Sequence, residues 1–554
     1  MQAAILFEPD GYLLDGPKLM GRQSAGSGFL RAAVNANSGG MLVAYTPSRS
    51  SFDTFERTVR ELDPTIQTRM LPPNRLDLLA RIGTLYRPDH AINVPAAARL
   101  RAGLAAFSLC GVTHTLSSEI SIKHLLDFLT TPLTPWDGLI CTSRVARELV
   151  EKTLANHAHY MSWQVGQPVA PPELQLPVIP LGVHAADFAA SADARAEARR
   201  RLGIDDDEIV ALFAGRLSFT AKAHPVSMLK GLEAAAKRTG RRIAFILAGK
   251  FQNEGMEQVY RTAVSAFAPS VRSLFVEGAD FEAYNACWRA ADLFLSLSDN
   301  IQETFGLTPV EAMAAGLPVV VSDWNGYMDT VRDGIDGFRI RTWAPAQQAD
   351  DAIARDYEAR ASNLDMYLAR ISGAVSIDQR QLNDRLTDLV ADAGLRARLG
   401  EAGRQHARAT FDWSVIYPQY LELWAELAAI RQARSHEPYW KARIAAAPLC
   451  HSVSPDPFAL FAHYPTALLT PQALVEPATE PQSHTLSELA GQPLFGLLAP
   501  PISAANTILA ALTGPTRIAD IIHATGLGEL QTIDAVARLA KMGFITIRGE
   551  EDAR

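Results

Sequence analysis

Short apolar runs alternate with longer amphipathic stretches along most of the chain. The runs Ala3–Phe7, Met41–Tyr45, Ala91–Val94, Phe107–Val112 and Leu139–Thr142 are continuous rather than alternating. Strands covered on both faces read this way, so they predict buried parallel strands in βαβ units. A Pro-rich stretch, Gly166–Pro180, and a helical Ala/Arg-rich stretch, Ala185–Gly203, interrupt the series. It then resumes with Ile209–Ala214, Ile243–Leu247, Leu274–Val276, Leu293–Leu297, Pro318–Ser322 and Phe338–Ile340. The pattern predicts two doubly wound α/β domains, residues 1–190 and 191–432, facing a cleft, with ligands at the carboxyl ends of the strands. Residues 345–410 read as helical and charged, and 411–431 as a long amphipathic helix. Residues 433–500 are Pro-rich and read as a connection. Residues 501–554 give short helices followed by a strand, which predicts a winged-helix-like α+β domain.

The densest chemistry lies in Ser298–Gly337, SDNIQETFGLTPVEAMAAGLPVVVSDWNGYMDTVRDGIDG. A strand ending near Leu297 should lead through a loop into a helix opening at Thr308-Pro309, since proline suits the first helical turn. The amides of Phe305, Gly306 and Leu307 then precede the helix, where free N–H groups and the helix dipole favour an anion such as a diphosphate. Glu303 and Glu311 flank that position. A carboxylate can accept hydrogen bonds from two vicinal hydroxyls, so the pair matches the two ends of a nucleotide-sugar. A capping box, Thr308-x-x-Glu311, is the plain alternative for Glu311. For Glu303 it is a solvated loop charge.

Three other segments sit where strands end. Gly215-Arg216 and Lys222 follow the first strand of the second series, and two cations there can neutralise a departing diphosphate. His114 follows Phe107–Val112 and can bond a hydroxyl or phosphate, or serve as a polar loop residue. Gly21–Gly28 reads as a glycine-rich loop in which Gly26 and Gly28 allow close backbone approach to a ligand. It is not G-x-G-x-x-G, which disfavours a dehydrogenase.

Composition narrows the class further. Apolar residues make up 48% and charged residues 20% of 554, with a formal charge of -8. That balance is globular, and its mild acidity speaks against a generic nucleic-acid binder while leaving room for a local basic groove for phosphates. The 501–554 segment carries 5 basic and 6 acidic residues, a net of -1, poor material for binding DNA. Four scattered cysteines form neither a zinc pattern nor a disulfide framework. Asp205–Asp207 reads as a solvated charge run before a strand, not a metal site. The N-terminus has no basic region before its apolar run, and no stretch reaches the about 20 apolar residues of a membrane span. These features predict a cytoplasmic protein, with peripheral membrane attachment and homo-oligomerisation left open.

Glu303-x7-Glu311 within ETFGLTPVEAMAAGLPVV, preceded by GRL and Lys222, closely resembles the retaining GT-B glycosyltransferases of family 4, the glycosyl transferases group 1. VIPLGVHAADF (178–188) resembles their interdomain segment, and FDWSVIYPQYLELW (411–424) their closing helix, so the similarity spans about residues 1–432. The resemblance implies transfer of a hexose from a nucleotide-sugar, such as a UDP- or GDP-hexose, with retention and without a metal or other cofactor. Arg216 and Lys222 would bind the diphosphate, with Gly215 beside it. Glu303 would hold sugar hydroxyls, Phe305–Leu307 the sugar or phosphate, Glu311 the ribose, and His114 would lie near the transferred sugar. Ala279 would contact the base through its backbone. Where relatives carry Gly-Gly-x-x-Glu, this chain has Asn325-Gly326-Tyr327-Met328-Asp329. The tail weakly resembles peptide-recognition modules of the PqqD type. The acceptor (glycan, lipid, peptide or small molecule) is not indicated. The competing readings are a GT-B frame acting only as a binding scaffold, a peptide-recognising protein working through the tail, and a DNA-associated factor.

Overall fold

The computed structural model describes residues 2–13, 21–346, 351–479 and 484–548. Residues 1–451 form one compact unit and 452–554 a second.

The first unit contains two six-stranded parallel sheets. Strands β1 (Ala4–Leu6), β2 (Met41–Tyr45), β3 (Gln67–Leu71), β4 (Thr84–Tyr86), β5 (Ser108–Val112) and β6 (Gly138–Ile140) assemble in the order β3-β2-β1-β4-β5-β6. Strands β7 (Ile209–Ala214), β8 (Ile243–Gly249), β9 (Arg272–Glu277), β10 (Leu293–Ser296), β11 (Val319–Ser322) and β12 (Gly337–Ile340) follow the order β12-β11-β10-β7-β8-β9. Every residue of β7, β8, β10 and β11 is buried, as strands covered by helices on both faces must be. This is the doubly wound α/β architecture that the apolar runs predict.

Two local expectations need correction. Ala91–Val94 is not a strand; it enters the Asn93–Arg99 helix, and the strand is Thr84–Tyr86, behind Gly83. The run is apolar because that helix is packed, with Ile92 fully buried. Gly21–Gly28 is not a loop; it opens the Gly21–Asn35 helix. A Cβ on Gly26 would fall 2.0 Å from the Gly11 carbonyl oxygen, and one on Gly28 2.6 Å from Trp413 Nε1. Glycine serves close packing at both positions, so those bare helix faces offer no room for a ligand.

The long helix Trp413–Arg434 returns to the first lobe. Asp412 caps it by accepting from Ser414 N at 2.9 Å, and also accepts from Ala185 N at 3.0 Å. Trp413, Tyr417 and Tyr420 pack around Phe29, and Arg431 donates to Ser108 Oγ at 2.8 Å and to the Gly83 carbonyl. In the first lobe a wholly buried pair, Arg99–Asp137, fixes the ends of β5 and β6. Arg99 also donates to Phe107 O at 2.8 Å, and Asp137 accepts from Leu109 N at 2.9 Å.

After β12 the chain makes a small antiparallel pair, β13 (Thr342–Trp343) with β14 (Ser376–Ile377). Helices Asp351–Glu358 and Leu364–Gly373 fill the span between them. The Asp205–Asp207 run is engaged by Arg242, at 2.6 Å from Asp205 and 3.0 Å from Asp207.

The second unit starts earlier than the composition suggests. Strand β15 (Leu474–Pro477), inside the Pro-rich stretch expected to be a connection, pairs antiparallel with β16 (Thr516–Arg517) and β17 (Ile545–Arg548). Helices Ile502–Ala511, Ile518–Thr525 and Glu529–Lys541 pack on that sheet around Val475, Ile508, Ile518, Val536 and Leu539. Alternation of Pro with apolar residues hid this strand, whose proline stands at the sheet margin.

Candidate functional site

Parallel topology carries the segments after β7, β8, β9, β10 and β11 to one edge of the second sheet. Gly215 follows β7 with φ 143, and Gly249 ends β8 with φ 156, both in backbone territory that side chains avoid. A Cβ on Gly249 would lie 1.8 Å from the Gly215 carbonyl, and Gly278 N donates to Gly249 O at 3.1 Å. Three turns therefore converge with little side-chain bulk between them. Ala279, directly after Gly278, is exposed at the margin of this edge.

Lys222 and Glu303 meet across that edge in a direct ion pair, with their side chains 17% and 14% exposed. Burial disfavours the ammonium most, but the charge and hydrogen bond of Glu303 together with Tyr327 outweigh it, and the Lys222 pKa is raised. Arg216 lies within electrostatic reach of Glu303, and Glu311 within reach of Lys222. Two cations and two carboxylates thus share one locus. Burial pushes the Glu311 carboxyl up to about 7, with Lys222 pulling against that shift.

The helix after β10 runs Leu307–Ala314 and starts one residue before the expected Thr308. Its N-cap is Gly306, φ 89, with no side-chain cap, and Thr308 Oγ1 has no partner, so the capping box does not form. Glu311 is left available. A Cβ on Gly306 would strike the Tyr327 ring at 2.1 Å, which accounts for glycine there. Among the described residues, the backbone N–H groups of Thr304, Phe305, Gly306, Leu307 and Thr308 have no protein acceptor. Phe305 itself is buried, so the 305–307 segment offers backbone rather than side chain.

On the first lobe, His114 follows β5, and its Nε2 lies 3.1 Å from the Pro88 carbonyl. Burial lowers its pKa to about 4, so the ring is neutral at physiological pH. His90 is lowered to about 4 by the same cause and stands 5.9 Å, ring to ring, from His124. Neither His90 nor His124 stands in a motif that its spacing would single out.

The lobes touch beside the Glu303 loop. Ser143, the N-cap of the Arg144–Val165 helix, donates its hydroxyl to Thr304 O at 2.6 Å. Arg144 N donates to Asp329 Oδ2 at 2.6 Å and its guanidinium to Oδ1 at 2.7 Å. Glu119, five residues beyond His114, takes Arg360 in a bidentate pair at 2.6 and 2.9 Å. Asp329, noted only as a departure from the family pattern, is thereby an interlobe partner. Ser143 was legible as a helix cap after a strand, but its partner 161 residues away was not.

The profile of the family described as glycosyl transferases group 1 matches residues 194–366, which hold Gly215, Arg216, Lys222, Glu303 and Glu311. This segment is similar to the glycosyl transferases group 1. A D-inositol 3-phosphate glycosyltransferase of Geodermatophilus obscurus is 32% identical over 271 residues, covering 48% of this chain and 57% of that protein. An alpha-maltose-1-phosphate synthase of Mycobacterium tuberculosis is 28% identical over 231 residues, 41% of this chain and 50% of that one. The chain thus spans about half the length of these curated relatives. In fold, the chain resembles Anabaena HepE, solved in complex with UDP and glucose. The TM-score is 0.50 at 16% identity, over 77% of this chain and 100% of that one. The paired sheets are those of GT-B glycosyltransferases. Among the described residues no helix is long and apolar enough to cross a membrane.

Proposed function

We propose that this chain transfers a hexose from a nucleoside-diphosphate sugar, UDP- or GDP-linked, to a separate acceptor, with retention at the anomeric carbon. The observation that carries this is the row of unpaired amides from Thr304 to Thr308, placed next to Lys222, Arg216 and two carboxylates. Fixed N–H dipoles and cations stabilise charge that develops on a leaving diphosphate, and each such donor is worth about 3–4 kcal/mol in comparable oxyanion sites. Glu303 holds hydroxyls of the donor sugar and Glu311 those of the ribose. Neutral His114 spends its one N–H on the Pro88 carbonyl through Nε2, which leaves Nδ1 to accept from a sugar hydroxyl. The bond from the anomeric carbon to the diphosphate oxygen breaks, and a bond to the acceptor oxygen forms on the same face. The leaving phosphate takes the acceptor's proton. The names of the relatives support sugar transfer as the reaction class.

The test is release of UDP or GDP from a panel of nucleotide-hexoses, with and without a chelator. The expected result is release from at least one donor, unaffected by chelation, and lowered at least about tenfold in kcat/KM by Lys222→Ala or Glu303→Ala. Near-wild-type turnover in both variants would reject the site. Nucleotide binding with no turnover of any donor would favour a binding scaffold on the same frame.

A further inference from the structure

The unpaired amide row lies on the second lobe, but its shape is held in part from the first. In a trans peptide the carbonyl and the following N–H point in opposite directions. Fixing the carbonyls of Glu303 and Thr304 therefore fixes where the N–H groups of Thr304 and Phe305 point. Asn325 donates its side-chain amide to Glu303 O. Ser143, from the other lobe, donates to Thr304 O at 2.6 Å. With both carbonyls engaged, the two N–H groups face away from Asn325 and Ser143 and have no protein acceptor.

Both contacts are built rather than incidental. Ser143 is 1% exposed, and its oxygen also accepts from Ala146 N at 3.1 Å, which fixes the rotamer that donates to Thr304. Asn325 sits in left-handed backbone, φ 53, a conformation asparagine tolerates better than most residues. The loops it joins are in contact, since a Cβ on Gly326 would fall 2.4 Å from Phe305 Cα. Asp329, in the turn after Asn325, accepts the first N–H of the same helix that Ser143 caps. One helix start on the first lobe thus grips both loops of the second.

We infer that Ser143 is a positioning residue for the donor diphosphate: it orients the Thr304–Phe305 peptide across the lobe boundary, so the amide row is complete only when the lobes are together. Asp329 and Arg144 fasten that boundary, and Asn325 holds the same loop from its own side. The inference rests on the nucleotide-sugar reading above, because an oriented amide row needs an anion to serve.

The experiment is calorimetric titration of the full chain with UDP and with GDP, together with hydrogen exchange of the peptide spanning Thr304–Phe305. Ser143→Gly is the primary variant, since glycine at an N-cap is tolerated far better than alanine. Ser143→Thr retains both the cap and the donated hydrogen bond. Ser191→Ala, which removes a cap from the Ala192–Arg201 helix, controls for loss of a cap elsewhere. Expected are a five- to tenfold weaker nucleotide affinity in Ser143→Gly, near-wild-type affinity in Ser143→Thr and Ser191→Ala, and nucleotide-induced slowing of exchange at 304–305 that is lost only in Ser143→Gly. In turnover, Ser143→Gly should raise the donor KM and also lower kcat, because the Thr304–Phe305 amides serve the departing diphosphate as well as the bound one. Wild-type protein that binds neither nucleotide sinks the nucleotide-sugar reading and this inference together. Wild-type binding with Ser143→Gly within twofold of it overturns the inference alone. If Ser143→Gly does not fold, Asn325→Gly, which keeps the left-handed backbone and removes the bond to Glu303 O, must show the same loss of exchange protection; unchanged protection there also overturns it.

Discussion

Glu303→Gln should separate nucleotide binding from sugar transfer, tightening the first while stopping the second. Without ligand, the Lys222 ammonium is neutralised by the Glu303 carboxylate, and both side chains are largely shielded from water. At an effective dielectric of about 20, unit charges about 4 Å apart interact by about 4 kcal/mol. A carboxylate about 6 Å from a phosphate charge repels it by about 3 kcal/mol on the same scale. A diphosphate arriving at Lys222 therefore meets attraction and repulsion of similar size. Side-chain motion and water in the site relieve most of the repulsion, so its removal should leave about 1.4 kcal/mol, a tenfold gain in affinity for UDP or GDP. Lys222→Ala does the reverse: it deletes the attraction and leaves Glu303 uncompensated, for a loss of at least about a hundredfold, or about 2.7 kcal/mol. The assay is titration calorimetry at one pH and moderate salt, because screening scales both terms. With an intact nucleotide-hexose the Glu303→Gln gain should vanish, since the hydroxyl contacts are lost with the charge. Weaker binding of free UDP and GDP by Glu303→Gln, or unchanged binding by Lys222→Ala, would refute this electrostatic balance.

Other consequences are open to direct measurement. Glu311, raised to about 7 by burial, binds its proton more tightly folded than unfolded, so it lowers stability as pH rises from its ordinary 4.5 to 7 and has no further effect above. Glu311→Gln should flatten its share of that slope in denaturant titrations at several pH values. The same ionisation favours ribose hydroxyls, so the wild-type advantage over Glu311→Gln in nucleotide-hexose affinity should grow as pH passes 7. Asp137→Asn breaks a wholly buried pair and should cost about 3–5 kcal/mol in chemical denaturation, with no direct effect on nucleotide affinity of the folded fraction. Gly182→Ala puts a Cβ 2.4 Å from Trp413 Cδ2 and should destabilise by about 1–3 kcal/mol, read as a lower denaturation midpoint.

Much of the fold was legible because its central strands are buried on both faces, which leaves continuous apolar runs such as Ile209–Ala214 and Ile243–Leu247. The elements that escaped lack that signature. Gln67–Leu71 is an edge strand with alternating exposure, and Thr84–Tyr86 has only three residues. Gly21–Gly28 looked like a loop because glycine signals flexibility and close packing alike, and only the Gly11 and Trp413 contacts tell them apart. At the site, strand ends pointed to one sheet edge for Arg216, Lys222, Glu303 and Glu311, but spacing alone left Glu311 readable as a helix cap and the cations as surface charge, and only the family resemblance joined them. The roles of Ser143 and Asp329 were not legible, because they arise where two separately wound sheets meet. The start of the second unit was missed for a related reason: β15 finds its partners 41 or more residues onward, since Val475 pairs with Thr516 and Ile547.

The most direct test is a crystal structure with UDP or GDP at saturating concentration. The diphosphate should lie within hydrogen-bonding distance of the Thr304–Thr308 amides, with Arg216 and Lys222 on its oxygens and Glu311 on the ribose. A nucleotide bound elsewhere, with the Lys222–Glu303 pair undisturbed and the amide row facing only water, would contradict the account.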